Sequence, residues 1–564
     1  MGSIHVNDEQ SNNLGTKLPT NSLHPPPKLN GSVSFWRLAP FFVATIVLIP
    51  IIVVIFSIFT PADDVWHHLV ETTLPSLLIN TFWLCFGVVC GAILLGTSLA
   101  WLTAIYDFPG RKFFSWALLL PMAIPAYVTA FVVLGLFDYT GPIQTYLRTW
   151  LGVESNWIPD FYGRSGAILV MMLAFYPYIY LLARNAFITQ GKRLIEAAQS
   201  LGLNRSQGFF KVALPMARPW IVAGAMLTLM ETLADFGTVS VFNYDTFTTA
   251  IYKAWFSLFS LSAASQLASL LIIFVFIIII IEQQLRARMR FAEAKSSRAR
   301  NRIPLFGWRR LAASAYAASI LFIAFILPCS QLFVWAIAEL NTTIELRYVE
   351  FLVHSLALST IATLIIASIA ILLVYATRLY SDRTTHIAVR IATLGYALPG
   401  AVLAVGIFVS LAWIDTQFNQ FILMLFKIEA GFLIQGTIAA MLIAYLVRFL
   451  AVGHYPIDSA MQRVTRSIDE AARGFGLTGW SLLSRIHIPI LSSGIFTAAT
   501  LVFVDVMKEM PITLMTRPFG WDTLAVRIFT LTSEGAWAQA ALPAIVLVLA
   551  GLIPIILLMR QTEQ

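Results

Sequence analysis

Charged residues are scarce in this chain of 564 amino acids, in which Asp, Glu, Lys and Arg together make up only 12% of the sequence. Hydrophobic residues make up 58%, and the mean hydropathy is +0.79. One or two aqueous cores cannot bury so large an apolar fraction. The composition therefore excludes a soluble globular protein and indicates a chain that lies in a lipid bilayer.

Cysteine is also rare, and a phosphate-binding loop is missing. The sequence contains three cysteines, all in apolar stretches: Cys85, Cys90 and Cys329. They supply neither a disulfide framework nor the spacing of a zinc site. The dipeptide Gly191-Lys192 is followed by Arg193 instead of Ser or Thr, which excludes a Walker A loop. We therefore expect no cofactor to be bound by this chain.

Long apolar stretches dominate what is present. A helix of about 20 residues rises roughly 30 Å, enough to cross a bilayer. Twelve such stretches lie near residues 39–59, 77–104, 113–136, 166–184, 217–237, 264–282, 312–338, 353–377, 389–413, 432–447, 491–513 and 540–559. The predicted fold class is an all-α polytopic membrane protein with about 12 transmembrane helices. Pro121, Pro125 and Pro399 should kink the third and ninth spans.

The distribution of Lys and Arg predicts the orientation. Most of the 37 basic residues fall in every second connection, and short basic connections stay cytoplasmic. The amino terminus is then cytoplasmic, as is the densest basic segment, residues 286–310. The net charge of +8 has this topological cause, and we expect no nucleic-acid binding. Residues 1–37 are polar and predict a disordered cytoplasmic tail rather than a signal peptide.

An internal repeat is the most informative pattern. Residues 196–215 recur as residues 470–489, at a shift of 274 positions, with Glu-Ala-Ala, Gly-Leu and Pro in the same places. Six identities at one shift within twenty positions arise by chance about once in a million. We predict two six-helix repeats, residues 38–283 and 312–564, joined by a basic cytoplasmic linker, residues 284–311. Because each repeat has an even number of spans, both enter the membrane in the same direction.

Both copies of the motif fall in the cytoplasmic connection between the fourth and fifth spans of their repeat. Helix-favouring residues precede Gly202 and Gly476, which can adopt the left-handed conformation that ends a helix. Small Ala side chains allow a partner to approach closely, as in helix-in-groove recognition. The alternative is an interfacial helix lying on the lipid, and the duplication and the fixed glycine argue against it.

These segments resemble the cytoplasmic signature of the permeases of binding-protein-dependent ABC importers, Glu-Ala-Ala-x3-Gly-x9-Ile-x-Leu-Pro. The copies here end in Val-Ala-Leu-Pro215 and Ile-His-Ile-Pro489. The resemblance implies a type I importer fold with two parallel repeats, in which each segment is a coupling helix that docks on a separate ATPase. The coupling residues that it implies are Glu196, Ala197, Ala198, Gly202, Glu470, Ala471, Ala472 and Gly476.

The same resemblance implies partners and a location. Two copies of an ABC ATPase subunit would hold ATP and Mg beneath the two repeats, and an extracytoplasmic substrate-binding protein would deliver the substrate. The chain itself would be a transport subunit and no enzyme. It would lie in the inner (plasma) membrane of a bacterial cell as a multi-pass protein.

The residues that follow the fifth spans bear on the substrate. Residues 231–239 with 246–252, and residues 508–514 with 517–520, resemble fused permeases for ferric iron. Similar sequences occur in thiamine, phosphonate and polyamine permeases, which stay open as alternatives. A twelve-span secondary transporter and a non-transporting scaffold are the remaining alternatives, and the scaffold does not explain two matched docking helices.

Four carboxylates occupy equivalent positions at the fifth spans of the two repeats: Glu231, Asp235, Asp505 and Glu509. In each pair a spacing of four residues should put both on one helical face. A carboxylate in a span costs roughly 2.5–3.5 kcal/mol unless it faces protein or water, so all four should point inward. They predict a cation-tolerant path or gate. The alternative is structural, with Asp505 or Glu509 paired with Lys508 or with backbone amides at a helix break. We expect the binding protein, not this chain, to hold the metal.

Overall fold

The computed structural model describes residues 35–61, 63–151, 161–191, 198–200, 202–288, 302–339, 346–427, 431 and 433–563. Within these residues the chain is almost entirely helical, with a single pair of two-residue strands. The predicted all-α membrane fold is confirmed. Residues 1–34 of the predicted tail lie outside the described residues, and the first helix begins at Phe35, inside the predicted tail.

The first half contains twelve helices among its described residues and one short strand. They are α1 (Phe35–Phe56), α2 (Asp64–His68), α3 (Leu74–Ile105), β1 (Tyr106–Asp107), α4 (Arg111–Ala117), α5 (Ala126–Phe137), α6 (Pro142–Leu151), α7 (Arg164–Ala186), α8 (Arg205–Gly208), α9 (Leu214–Ala234), α10 (Gly237–Val241), α11 (Phe247–Phe256) and α12 (Leu261–Arg288).

The second half begins with a short strand and contains twelve helices among its described residues. Its elements are β2 (Ile303–Pro304), α13 (Trp308–Leu321), α14 (Leu327–Glu339), α15 (Leu346–Leu379), α16 (Arg383–Ala392), α17 (Gly400–Phe426), α18 (Ile438–Met461), α19 (Arg466–Gly474), α20 (Gly479–Leu482), α21 (Ile488–Lys508), α22 (Pro511–Thr516), α23 (Leu524–Ser533) and α24 (Ala541–Glu563).

Single turns of other helix types join or interrupt these elements. The 3-10 turns are Ser57–Phe59, Leu120–Ala123 and Leu394–Ala397, and the π turns are Leu69–Thr73, Phe187–Gly191, Phe209–Ala213, Phe322–Ile326 and Leu483–His487. Several occupy equivalent places in the two halves. Helices α9 and α21, and the π turns that precede them, have the same bounds at the shift of 274 positions. The limits of the two repeats stay a prediction.

Eleven helices within the described residues are long and apolar enough to cross a membrane. Twelve spans were expected. The predicted twelfth span falls on α24, a helix of 23 residues that is apolar over its described part up to Pro554.

The predicted third and ninth spans, residues 113–136 and 389–413, are wrong in their bounds. The chain breaks before Pro125 and Pro399, and the apolar spans that follow are Ala126–Trp150, which comprises α5 and most of α6, and Gly400–Phe426. The residue before each proline is extended, with ψ of 124° at Ile124 and 142° at Leu398. Steric conflict with the proline ring disfavours helical geometry there, so each proline starts a new helix instead of kinking an existing one.

The first span of each half packs against the opposite half. Helix α1 packs on α17 so closely that a Cβ atom added at Gly406 would lie 2.8 Å from the carbonyl oxygen of Pro50. Conversely, α14 packs on α5, where the rings of Trp335 and Phe131 lie 6.4 Å apart. The two halves therefore share one interior.

A strand pair ties the linker to the first half. The residues of β2 pair in parallel with those of β1, Tyr106 opposite Ile303 and Asp107 opposite Pro304. The amide of Leu305 also donates to the carbonyl oxygen of Asp107 at 3.1 Å. This ordered contact lies within the predicted linker, residues 284–311, whose residues 289–301 lie outside the described residues.

A three-helix crossing is packed in opposite ways in the two halves. In the first half Ile179 of α7 lies between Gly96 of α3 and Gly224 of α9, and a Cβ at either glycine would lie within 2.8 Å of Ile179. In the second half the small residue lies on the middle helix instead. Gly453 stands at the position of Ile179, and Ala370 and Ala498, both fully buried, stand at the positions of the two glycines. The equivalent crossing is thus filled by different side chains.

We predict that Gly224→Ala destabilises the protein, because its Cβ would lie 2.7 Å from the Cα atom of Ile179 and the helices would have to separate. Overpacking of this kind costs about 1–3 kcal/mol. The melting temperature in detergent, followed by tryptophan fluorescence, should fall.

The matched control is Gly474→Ala, at a helical glycine with nothing within 4 Å of the added Cβ. Its melting temperature should equal that of the wild type. Equal melting temperatures for the two variants would contradict the close crossing of α7 and α9.

Candidate functional site: docking segments and a charged cavity

The two copies of the repeated motif, residues 196–215 and 470–489, are called the first and second docking segments. The second begins in α19. Glu470 and Ala471 are exposed on this helix, whereas Ala472 is buried against the protein. A small buried alanine beside exposed residues lets the helix lie flat on the end of the bundle. The helix therefore presents Glu470 and Ala471 outward.

Left-handed glycines end both docking segments. Gly202 has φ +81° and Gly476 has φ +78°, and a Cβ at either would meet nothing within 4 Å. The requirement for glycine is thus conformational, not steric. In each copy the amide of the residue after the glycine donates to the second alanine of Glu-Ala-Ala. Leu203 donates to the carbonyl oxygen of Ala198 at 3.0 Å, and Leu477 donates to that of Ala472 at 3.1 Å.

The first segment is described only in part. Glu196 and Ala197 lie outside the described residues, whereas Ala198 is buried like its equivalent Ala472. Ala198 approaches Gly208 of α8, where an added Cβ would lie 3.5 Å from the Ala198 Cβ atom. The described part of the first copy therefore packs on the helix that follows it.

Each docking segment leads directly into a fifth span. In the first half, the side chains of Asn204 and Gln207 cap α8, and a π turn then joins α8 to α9. In the second half, Thr478 and Ser481 cap α20 in the same way. Pro215 and Pro489 stand in the first turn of α9 and α21, directly after the π turns, so helical residues lead from each docking segment into its span.

A buried ionic network fixes the second docking helix to the bundle. Asp469, the residue before Glu470, accepts from Nε of Arg378 at 2.8 Å and contacts Nε2 of His487 at 2.9 Å. Arg378 lies in the last turn of α15, the second span of the second half, and His487 lies in the π turn before α21. The equivalents of the two bases in the first half are Ala104 and Ala213, so this network has no copy there. Sequence reasoning missed it because the repeat does not preserve it.

An exposed aromatic ring lies beside the second docking helix. Phe475 follows α19 directly, and 87% of it is exposed. Phe210 in the first docking segment and Trp480 in the second are also largely exposed. Large exposed apolar side chains grouped on one surface are typical of a protein docking surface.

A cavity of about 320 Å³ lies between the two halves. All four predicted carboxylates line it, so the structure brings Glu231, Asp235, Asp505 and Glu509 together. Two cations, Arg448 and Lys508, also line it. In α9 and α21 the acids lie at the end of the helix opposite the docking segment, roughly 25 Å along at 1.5 Å per residue.

The expectation that each acid pair shares one helical face is wrong. Helices α9 and α21 end immediately before Asp235 and Glu509, whose backbones are extended. Asp235 accepts from the amides of Thr238 and Val239 at 2.9 and 3.2 Å, and Glu509 accepts from the amide of Ile512 at 3.2 Å. These two carboxylates cap the short helices α10 and α22, in the manner of the structural alternative.

Glu231 and Asp505 are left on the span helices, facing the cavity. The hydroxyl of Tyr396, from the second half, donates to Glu231 of the first half at 3.4 Å. Lys508 follows Asp505 by three residues on one helical face, and its Nζ donates across the interface to the carbonyl oxygen of Met122 at 3.3 Å. In both contacts a donor of the second half meets an acceptor of the first, so polar contacts of the cavity connect the two halves.

The cations of the cavity break the symmetry of the acids. Nε of Arg448 lies 3.8 Å from Glu509, and its Nη1 donates to the carbonyl oxygen of Leu398. The positions equivalent to Arg448 and Lys508 in the first half are Ala174 and Ala234. Four carboxylates and two cations leave an excess of acid in the cavity. Across the described residues, His, Cys, Asp and Glu form no group of three or more arranged to hold a metal ion.

Comparison with known proteins agrees with this architecture. Residues 92–291 match the family described as binding-protein-dependent transport system inner membrane component. The chain is 26% identical to Fe(3+)-transport system permease protein FbpB 2 of Haemophilus influenzae over 492 residues, 86% of this chain and 90% of the relative. It is 24% identical to a putative ferric transport system permease protein, FbpB 1, of the same species over 424 residues, 70% of this chain and 62% of the relative.

Shorter matches include permeases that are named for other substrates. The molybdenum transport system permease protein ModB of Escherichia coli K12 is 27% identical over 180 residues, 32% of this chain and 72% of the relative. The predicted resemblance to permease subunits is confirmed, and the matched region contains the first docking segment. Residues 92–291 therefore match the binding-protein-dependent inner membrane transport components, within a multi-pass helical protein that is similar to a ferric transport permease along most of its length.

Proposed function

We propose that this chain is the transmembrane subunit of an ATP-driven importer in a bacterial inner membrane. The observation that carries the proposal is the continuity of each docking segment with a span helix that ends at the charged cavity. Two copies of an ABC ATPase would dock from the cytoplasm, one on each segment, and would hold ATP and Mg. The amino terminus and the linker would lie on that same side.

Docking would act on the cavity through α9 and α21. A shift of the segment around Glu470 moves Asp469, which is bonded to the end of α15 and to the turn that begins α21. Because α21 is continuous from that turn to Lys508, the displacement reaches the polar contacts between the halves. In the first half the same route would run from Ala198 through α8 to Glu231. ATP binding would thereby open or close the cavity.

Ferric iron, delivered by an extracytoplasmic binding protein, is the proposed substrate. Two relatives that align along most of this chain are named as ferric permeases. The excess of carboxylates in the cavity favours a cation over an oxyanion, since an anion would meet four acids and two bases. Lacking a clustered ligand set, the cavity would pass the ion without retaining it.

Reconstitution tests this function. Liposomes that contain the chain, its cognate ATPase and a ferric-loaded binding protein should accumulate iron only with ATP on the docking-segment side. Omission of any one component should abolish accumulation. Uptake driven by a proton or sodium gradient without the ATPase would instead establish a secondary transporter, and uptake of molybdate or sulfate but not iron would reject the substrate.

We predict that Phe475→Ala weakens ATPase binding at least tenfold, because loss of a central aromatic anchor costs about 2 kcal/mol at an interface. Affinity can be measured by titrating the ATPase onto the permease in nanodiscs. Phe496→Ala is the matched control, since Phe496 is an exposed aromatic residue on the span α21. If both variants bind the ATPase as tightly as the wild type, Phe475 does not lie in the interface.

We also predict that the double variant Glu231→Gln, Asp505→Asn reduces iron uptake at least tenfold while the protein still inserts and binds the ATPase. The exchange removes two cavity charges with little change of volume, and a cation crossing low-dielectric protein depends strongly on such charges. Glu350→Gln, at an exposed acid outside the cavity, should transport normally. Normal uptake by the double variant would leave these acids with a structural role only.

A further inference from the structure

Three arginines that do not line the cavity come together beside the strand pair of the first half. Arg111 begins α4, Arg184 lies in the last turn of α7, and Arg302 immediately precedes β2. They come from segments far apart in the sequence, so only the tertiary structure brings them together. The proposed importer function makes no use of them.

Local contacts fix these positions. Pairing of β2 with β1 places Ile303 opposite Tyr106, so Arg302 lies at the start of the strand pair, close to the charges of Asp107 and Arg111. Tyr180, one turn before Arg184 on the same face of α7, donates to the carbonyl oxygen of Ser115 in α4 at 3.0 Å. That face of α7 therefore lies against α4, where Arg111 begins.

The cluster has too little negative charge. Asp107 is 3.3 Å from Nε of Arg111, in a geometry that forms no hydrogen bond, and Arg184 and Arg302 form no ion pair with any described residue. The Nε atoms of all three arginines are buried and have no hydrogen-bond acceptor. Burial, followed by the nearby charges of Arg111 and Arg184, lowers the pKa of Arg302, and Asp107 only partly opposes this. Such an arrangement lacks an anion.

Surrounding side chains place the cluster at the edge of the membrane. Phe306 and Trp308, just after Arg302, are 77% and 75% exposed, and Phe113 of α4 is also exposed. Aromatic side chains concentrate where the lipid headgroups meet the hydrocarbon region. Basic pockets between helix ends on the cytoplasmic side are suited to phosphate-bearing headgroups, and arginine binds phosphate through two parallel hydrogen bonds.

We propose that Arg111, Arg184 and Arg302 form a binding site for the phosphate of an anionic phospholipid headgroup. The site has no copy in the second half, which has Thr385 and Asp458 in place of Arg111 and Arg184. A bound lipid would tie the linker strand to the ends of α4 and α7. It would thereby hold the two halves in register at the end where the ATPase docks.

Nanodiscs of phosphatidylcholine, with and without phosphatidylglycerol, test the site on the full chain. Native mass spectrometry should find phosphatidylglycerol retained on the wild type, and its addition should raise the melting temperature. Arg184→Gln and Arg302→Gln should each reduce this retention about fivefold, the effect of one basic residue near an anionic surface. Arg310→Gln, at an exposed arginine of the same linker, should retain the lipid, and Arg302→Lys should restore part of the retention.

The remaining arms separate other ligands. Inorganic phosphate added to phosphatidylcholine nanodiscs should not reproduce the stabilisation, and if it does the ligand is free phosphate and the lipid assignment fails. Equal lipid retention by the wild type and Arg302→Gln also overturns the proposal. If that variant loses the ATPase but keeps the lipid, the cluster binds a protein partner instead. A melting temperature measured in phosphatidylcholine alone distinguishes these results from misfolding.

Discussion

The structure depends on carboxylates that satisfy backbone amides where helices break within the bundle. Inside a membrane, an amide freed at a helix end finds no water and costs several kcal/mol if it stays unpaired. Asp235 and Glu509 supply the acceptors at the starts of α10 and α22. Because these caps allow the fifth spans to stop, Glu231 and Asp505 can face a cavity instead of the interior of a continuous helix.

Equivalent backbones in the two halves carry different chemistry. The crossing of three helices uses Gly, Ile and Gly in one half and Ala, Gly and Ala in the other. Ionic side chains diverge further, since the Asp469 network and the cavity cations belong to the second half and the arginine cluster to the first. A small residue at each crossing lets the helices approach closely, and either half can place it on a different helix. Charge placement is free to specialise each half.

Much of the fold was predictable because the length and hydropathy of a membrane span can be read from the sequence. The docking glycines were predictable as well, since a helix end with positive φ strongly favours glycine. The bounds of the third and ninth spans were wrong because hydropathy does not register a change of backbone direction. At Pro125 and Pro399 the chain stays apolar while it leaves one helix and begins another.

The sequence by itself determined which residues recur, and hence which four acids and which two docking segments correspond. Only the tertiary structure decided what each of them contacts. Asp235 and Glu231 look alike in a helical pattern, yet one caps a new helix and the other faces a cavity, because the helix ends between them. Arg448, Asp469 and the three clustered arginines acquire their neighbours from distant segments. Local pattern fixes the conformation of a segment, whereas electrostatic partners are fixed by packing between segments that no periodicity links.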